Sequence, residues 1–275
     1  MTLRRLWMGL STILNIDQQG FFIPYRYAES TDAPLRYPAV ESAFQSAAPA
    51  FEDLITSINR YGPELSQIGS DPAPAPRFEQ DWFPRLDACA LYAVVRAFGP
   101  RRIIEVGSGH STRFAARAVA DGRLATRITA IDPAPRASIE TLKLQVIRKT
   151  VQAAGLGVFA DLEAGDVLFI DSSHILMPGT DVDVLFNIVI PALPAGVLIH
   201  IHDMTLPDIY PHAWVWRAYN EQQAVVPMIT SGGFDVLWSS HYVATRMGDA
   251  LIGTVIERLP LMDGALETSL WLRKR

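Results

Sequence analysis

Five short apolar runs in this 275-residue chain end in residues able to do chemistry, and four of the five ends carry an acid. They are Glu105-Val-Gly-Ser-Gly-His-Ser-Thr112, Asp132, Gln152, Asp171-Ser-Ser-His174 and His202-Asp203. A purely structural sheet has no reason to place carboxylates there repeatedly. Gly107 and Gly109 let backbone N–H groups approach a ligand where a helix begins. Glu105 would repel a pyrophosphate but suits a cationic amino-acid group. Asp132, 25 residues beyond Gly107, is placed to accept both hydroxyls of a ribose. His200 and His202 alternate along one run, so they leave the same face of a strand. With His174, Asp171 and Asp203 they bring three imidazoles and two carboxylates to one mouth. His200 reads as a core histidine. His174 and His202 are both candidate general bases, since imidazole titrates near neutrality, and the sequence does not choose between them. His110 reads as a cap or a pocket wall.

These residues need elements to position them. The runs 102–107, 127–132, 146–152, 166–171 and 196–203 are β-branched and nearly continuous, as strands buried on both faces are. Helical patterns lie between them, in STRFAARAVADG, PRASIETLKL, a short piece near 156–163 and DVDVLFNIVIPAL. Alternation at this spacing predicts right-handed crossovers and an α/β, Rossmann-like doubly wound sheet. A long helix near 211–229, the strand 234–240, a helix near 248–258 and a last strand in TSLWLRKR follow. The two late strands suit an antiparallel pair at one edge. Residues 1–80 differ in texture, with a helical stretch near 39–60 and the proline-studded SDPAPAPRF, and are expected to form an extension and strap on a domain of residues 81–275.

Composition narrows the classes. The chain is 49% apolar and 19% charged, enough for one large core. Its one cysteine, Cys89, excludes an internal disulfide and a cysteine zinc cluster. A net charge of -5 argues against nucleic acid as the main partner. No run reaches the roughly 18 to 20 apolar residues of a membrane span. The start, MTLRRLWMGLSTILNID, lacks a cleavage site and reads as an amphipathic helix lying on its own domain. The expectation is a cytoplasmic protein, with a homo-oligomer left open.

With those motifs in place, the sequence resembles the class I S-adenosylmethionine-dependent methyltransferases. Glu105-x-Gly107-x-Gly109, the acid Asp132 and Asp171 carry the likeness, and DVLFIDSSH, Gly179-Thr-Asp-Val182, LPAGVLIHIHDM and IYPHAW resemble a bacterial branch of mostly unassigned substrate. Ser111 departs from the general motif, which often has a third glycine there. The resemblance implies seven strands with an antiparallel last one, and O-methylation of a small molecule or sugar. It also implies that Glu105 holds the methionine ammonium, directly or through water. Gly107, Ser108, Gly109 and Ser111 would line the cofactor, Asp132 would bind its ribose, Gln152 would lie near its adenine, and Asp171 would face its sulfonium. Catechol-type relatives hold magnesium at this mouth. The matching set here is Asp171, His202 and Asp203, whose imidazole suits borderline metals better. The alternatives are a nicotinamide-dependent oxidoreductase, against which Thr112 stands in place of a third fingerprint glycine, and a non-catalytic cofactor-binding module. Acceptor contacts are expected from residues 20–80, 175–182 and 204–216. The aromatic cluster Trp214, Trp216 and Tyr219 is expected to pack as core or lid.

Overall fold

The computed structural model describes residues 3–135 and 137–275. The chain divides into two compact units, Met1–Pro34 and Leu35–Arg275. The larger unit is built on a seven-stranded sheet of order β3-β2-β1-β4-β5-β7-β6. The strands are β1 (Arg102–Val106), β2 (Arg127–Ile131), β3 (Gln145–Ile147), β4 (Val167–Ile170), β5 (Leu198–Ile201), β6 (Phe234–Ser239) and β7 (Leu270–Lys274). The first five run parallel, and β7 lies antiparallel between β5 and β6. β4 and β5 are buried throughout, which explains their unbroken apolar sequences. The chain winds outward from β1 to β3 and then returns to β4 beside β1. That reversal opens a crevice at the carboxyl ends of β1 and β4.

In the small unit, helix α1 covers Leu3–Ile13. The large unit begins at Leu35, so helix α2 (Pro38–Arg60), which the sequence places with the extension, packs inside it. Its buried residues Val40, Phe44, Phe51, Ile55 and Ile58 repeat on one face. Phe51 meets Trp238 of β6 edge-on with ring centroids 6.0 Å apart, and Phe44 meets Tyr242 at 5.5 Å. Helix α3 (Arg85–Phe98) ends at Gly99, whose left-handed φ of 55° turns the chain toward β1. Helix α4 (His110–Asp121) follows the glycine loop.

Several sequence expectations change. β3 is three residues long because the backbone turns at Lys149, whose N–H bonds Ile147 O, and Thr150 then caps a short helix, Val151–Ala154. Residues 137–144 form bends and turns, not a helix. Pro133 and Pro135 disfavour helical conformation at Asp132 and Ala134 before them, and the Glu140 carboxylate takes the Ile139 N–H. Arg136 of that stretch lies outside the described residues. The expected helix near 211–229 is a 3-10 turn, His212–Arg217, and a separate helix α5 (Glu221–Thr230). Ala218, with φ of 55°, breaks it. The expected helix near 248–258 is likewise divided, into a 3-10 turn Gly248–Leu251 and a short helix Val255–Arg258, preceded by helix α6 (Ser240–Arg246).

Phe51 is fully buried between α2 and β6. Phe51→Ala is expected to cost about 3–5 kcal/mol of stability, read from denaturant unfolding. A loss below about 1 kcal/mol would show that α2 contributes little to this core.

Candidate active site

The crevice begins with the loop after β1. Gly107 has φ of 81°, and a β-carbon there would stand 1.8 Å from the Asp171 carbonyl oxygen. Only glycine lets the ends of β1 and β4 come this close. Beyond it, Ser108 N–H and Oγ–H donate to Asp132 Oδ2 at 2.8 and 2.9 Å, while Ala134 N–H donates to Oδ1 at 2.8 Å. Asp132 thereby ties the loop to the end of β2. Glu105 is buried beneath the loop and accepts from Ser111 Oγ at 2.5 Å and Thr112 Oγ1 at 2.6 Å. Burial pushes its carboxyl up to about 8, against the two hydroxyl bonds, which pull it down. A β-carbon on Gly109 would meet nothing within 4 Å, so the loop faces open space.

The second half of the crevice lies where β4 and β5 end. His174 Nε2 is 3.4 Å from both Asp171 Oδ1 and Asp203 Oδ2, and its Nδ1 is 2.8 Å from Glu221 Oε2. His202 Nδ1 is 3.6 Å from Asp171 and from Asp203, and its Nε2 is 3.2 Å from Asp87 Oδ2. Each imidazole is thus held between a buried carboxylate behind it and the Asp171–Asp203 pair in front. Burial alone would lower both imidazoles, but the facing carboxylates outweigh it and raise them well above the usual histidine range. In the same way burial would raise Asp171, and His202 and His174 hold it well below the usual carboxylate range. Arg217 adds a third cation, 3.4 Å from Asp203. Its guanidinium sits 4.2 Å from the Trp214 ring centre and 5.4 Å from that of Tyr219, and Tyr219 in turn packs on His174. His174 and Asp203 both have positive φ, 62° and 55°, a backbone strain that concentrates at functional sites.

Residues 104–204 match the model of a family described as a methyltransferase domain. Over that stretch the chain is similar to a methyltransferase domain. The nicotinamide-dependent alternative is not favoured. The chain is similar in structure to an O-methyltransferase from Bacillus cereus in complex with SAH, at 13% identity, 91% coverage of this chain, 96% of that one and a TM-score of 0.42. It is also similar to the SAH-bound Podospora anserina methyltransferase PaMTH1, at 13% identity, coverage of 93% and 99% and a TM-score of 0.42. No curated protein matches its sequence.

The fold brings Asp171, His174, His202 and Asp203 together, and separately gathers Glu105, Gly107, Ser108, Gly109, Ser111 and Asp132. Gln152 is not at a strand end. It lies exposed on the helix Val151–Ala154 and donates through Nε2 to Gly179 O at 2.8 Å. His200 belongs to the core, stacked on Phe169 at 3.7 Å and bonded to Ser269 Oγ at 2.8 Å. Asp87, Arg217 and Glu221 escaped sequence reasoning. Asp87 left a signal, a lone acid among the apolar residues that follow Arg85 in the first turns of α3. Glu221 and Arg217 left none, because both looked like ordinary polar residues of an unbroken helix.

The crevice fits a cofactor. The loop faces open space at Gly109, and two side-chain polar atoms are buried without partners, His110 Nδ1 next to Gly109 in the chain and Ser172 Oγ next to Asp171. A divalent metal on Asp171, His202 and Asp203 is not shown. Among the described residues, no group of three or more His, Cys, Asp or Glu side chains is disposed to hold one. The imidazoles and Arg217 instead approach Asp171 Oδ1 and both Asp203 oxygens at 3.4–3.6 Å. No described helix is long and apolar enough to cross a membrane.

Glu105 generates a pH prediction. Between its ordinary value of 4.5 and about 8, the native carboxyl keeps a proton that the unfolded chain has lost. Stability therefore falls as pH rises through that window. Glu105→Gln is expected to flatten this decline in denaturant titrations run across the window. An unchanged slope would show that Glu105 is ionised in the native state.

Proposed function

We propose that this methyltransferase transfers its methyl group to a hydroxyl oxygen of a small molecule or sugar. The observation that carries the reading is the His174–Glu221 pair, a carboxylate-backed imidazole directed between Asp171 and Asp203. A hydroxyl must lose its proton as it is alkylated, and a positioned imidazole is suited to take it. Methylation of a neutral amine needs no such base before attack.

When bound, S-adenosylmethionine supplies an electrophilic methyl group to the acceptor oxygen by in-line displacement. The protein's own contribution is orientation and proton management. In this proposal Gly107, Ser108 and Gly109 line the cofactor, and Asp132 receives the ribose hydroxyls. Glu105, which accepts from Ser111 and Thr112, answers the ammonium, whose charge would offset the burial that otherwise keeps this carboxyl protonated. Gln152, fixed against Gly179, borders the adenine. Asp171 and Asp203 orient the acceptor hydroxyl, and His174 Nε2 takes its proton. Asp171, once offset by a sulfonium cation, no longer holds the His174 proton as tightly, which frees the imidazole to act as base.

His174 is favoured over His202 by the anchoring of their partners. Asp87 accepts from Thr268 N–H at 3.0 Å and Ser269 N–H at 2.8 Å, so the carboxylate behind His202 is saturated and fixed. Glu221 keeps one buried oxygen without a partner, and burial raises its carboxyl against the pull of His174. The His174–Glu221 pair can therefore share and pass on a proton. We accordingly assign His202 a positioning role, and place the activity in the unit Leu35–Arg275.

Two sets of variants test this. Asp132→Ala is expected to weaken S-adenosylhomocysteine binding by roughly ten- to a hundredfold in calorimetry, through lost charge-assisted bonds. Asp203→Ala should leave that affinity within a few-fold and lower kcat. With a panel of hydroxyl acceptors, His174→Gln should lower kcat by roughly a hundredfold or more while cofactor affinity holds. Full turnover by His174→Gln, or faster methylation of amines than of hydroxyls, would overturn the assignment.

A further inference from the structure

The small unit Met1–Pro34 leaves one face uncovered. Along α1, Leu3, Leu6, Trp7, Leu10 and Ile13, continued by Leu14, fall within an arc of roughly 120° at about 100° per residue, with no polar side chain inside it. All six are exposed, from 43% at Leu6 to 87% at Leu3. The unit folds back on the opposite side. Ser11, the one residue of α1 that is buried, donates to Asp17 O at 3.1 Å, and Gln19 N–H donates to Thr12 Oγ1 at 3.0 Å. Its chain thus covers the polar face of the helix and leaves the apolar arc free. Phe21, Phe22, Ile23, Tyr25 and Tyr27 add further exposed apolar surface.

The charges indicate what covers it. Arg4 and Arg5 flank the arc on either side, and α1 has no acidic residue. In a pair of α1 helices from two copies, the arginines would find no carboxylate within the partner helix. The nearest acid, Asp17, already accepts from Gln19. A leucine stripe with tryptophan at its border and arginines on both flanks instead suits the plane of a bilayer. There the aliphatic stems lie in the acyl boundary and the guanidiniums reach lipid phosphates.

We infer that α1 docks this methyltransferase on an anionic lipid surface, lying in the interface rather than spanning it. The remainder of the chain works against non-specific attraction, because the protein's net charge is -5 while Arg4 and Arg5 give α1 a charge of +2. Binding to anionic vesicles therefore reports on α1.

The test is co-sedimentation of the full chain with phosphatidylcholine vesicles containing about 30 mol % phosphatidylglycerol, alongside pure phosphatidylcholine vesicles. At least a several-fold preference for the anionic vesicles is expected. Leu6→Asp with Leu10→Asp should abolish it, and Arg4→Gln with Arg5→Gln should reduce it to the level on pure phosphatidylcholine. S-adenosylhomocysteine binding, measured on the same samples, confirms that the variants remain folded. Absence of vesicle binding by the folded parent chain would overturn the inference. So would a dimer, seen by light scattering, that the Leu6→Asp and Leu10→Asp pair dissociates, since a second copy would then cover the stripe.

Discussion

Burying several carboxylates at one point is the constraint on which the rest of this site depends. Asp87 and Glu221 are fully buried, and Asp203 nearly so, beside Asp171. An unpaired carboxylate in such a place is costly enough to unfold a domain or to stay protonated. The protein meets the requirement with two imidazoles, one guanidinium and the amides at the start of β7. Satisfying it recruits elements distant in sequence. α3 delivers Asp87 from before the sheet begins, the ends of β4 and β5 deliver Asp171 and Asp203, the turn before α5 delivers Arg217, and α5 opens with Glu221. The crossing of these elements at the carboxyl edge follows from the doubly wound sheet, but their charges decide how closely they meet.

How much of this was legible in the sequence follows from how local each signal is. Gly107 and Asp132 are readable because a tight turn and a strand-end acid are set by neighbours in the chain. The sheet was readable for the same reason, since doubly buried strands announce themselves as unbroken β-branched runs. The 211–229 region misled because apolar spacing continues across Ala218, while the break comes from a distant contact. Asn220 bonds Leu176 through both its side-chain groups, at 2.6 and 3.1 Å, and its N–H bonds His174 O. Such a bond, between positions 44 apart, leaves no periodicity to read. Glu221 was hidden by the same break, because its role depends on where the new helix starts. The pairing of His202 with Asp87, 115 residues away, is equally non-local.

The break at Ala218 also links the covering segment to the chemistry. Trp214, Arg217, Tyr219, Asn220 and Glu221 lie on one short stretch, and all but Trp214 contact the loop after β4 or the end of β5 directly. Arg217 neutralises part of Asp203, Tyr219 packs on His174, and Glu221 holds the far nitrogen of that imidazole. These contacts cannot be changed one at a time, because Asn220 pins the stretch at its centre. If the segment lifts to admit an acceptor, Asp203 loses its guanidinium and His174 loses its carboxylate together. When it closes, water leaves and each of these charges interacts more strongly with the others. Asp87, by contrast, is anchored to the β7 backbone and stays with His202 throughout. One imidazole is therefore tied to the sheet through Asp87 and the other to the segment around Ala218 through Glu221, so a shift of that segment would change the proton affinity of His174 most directly.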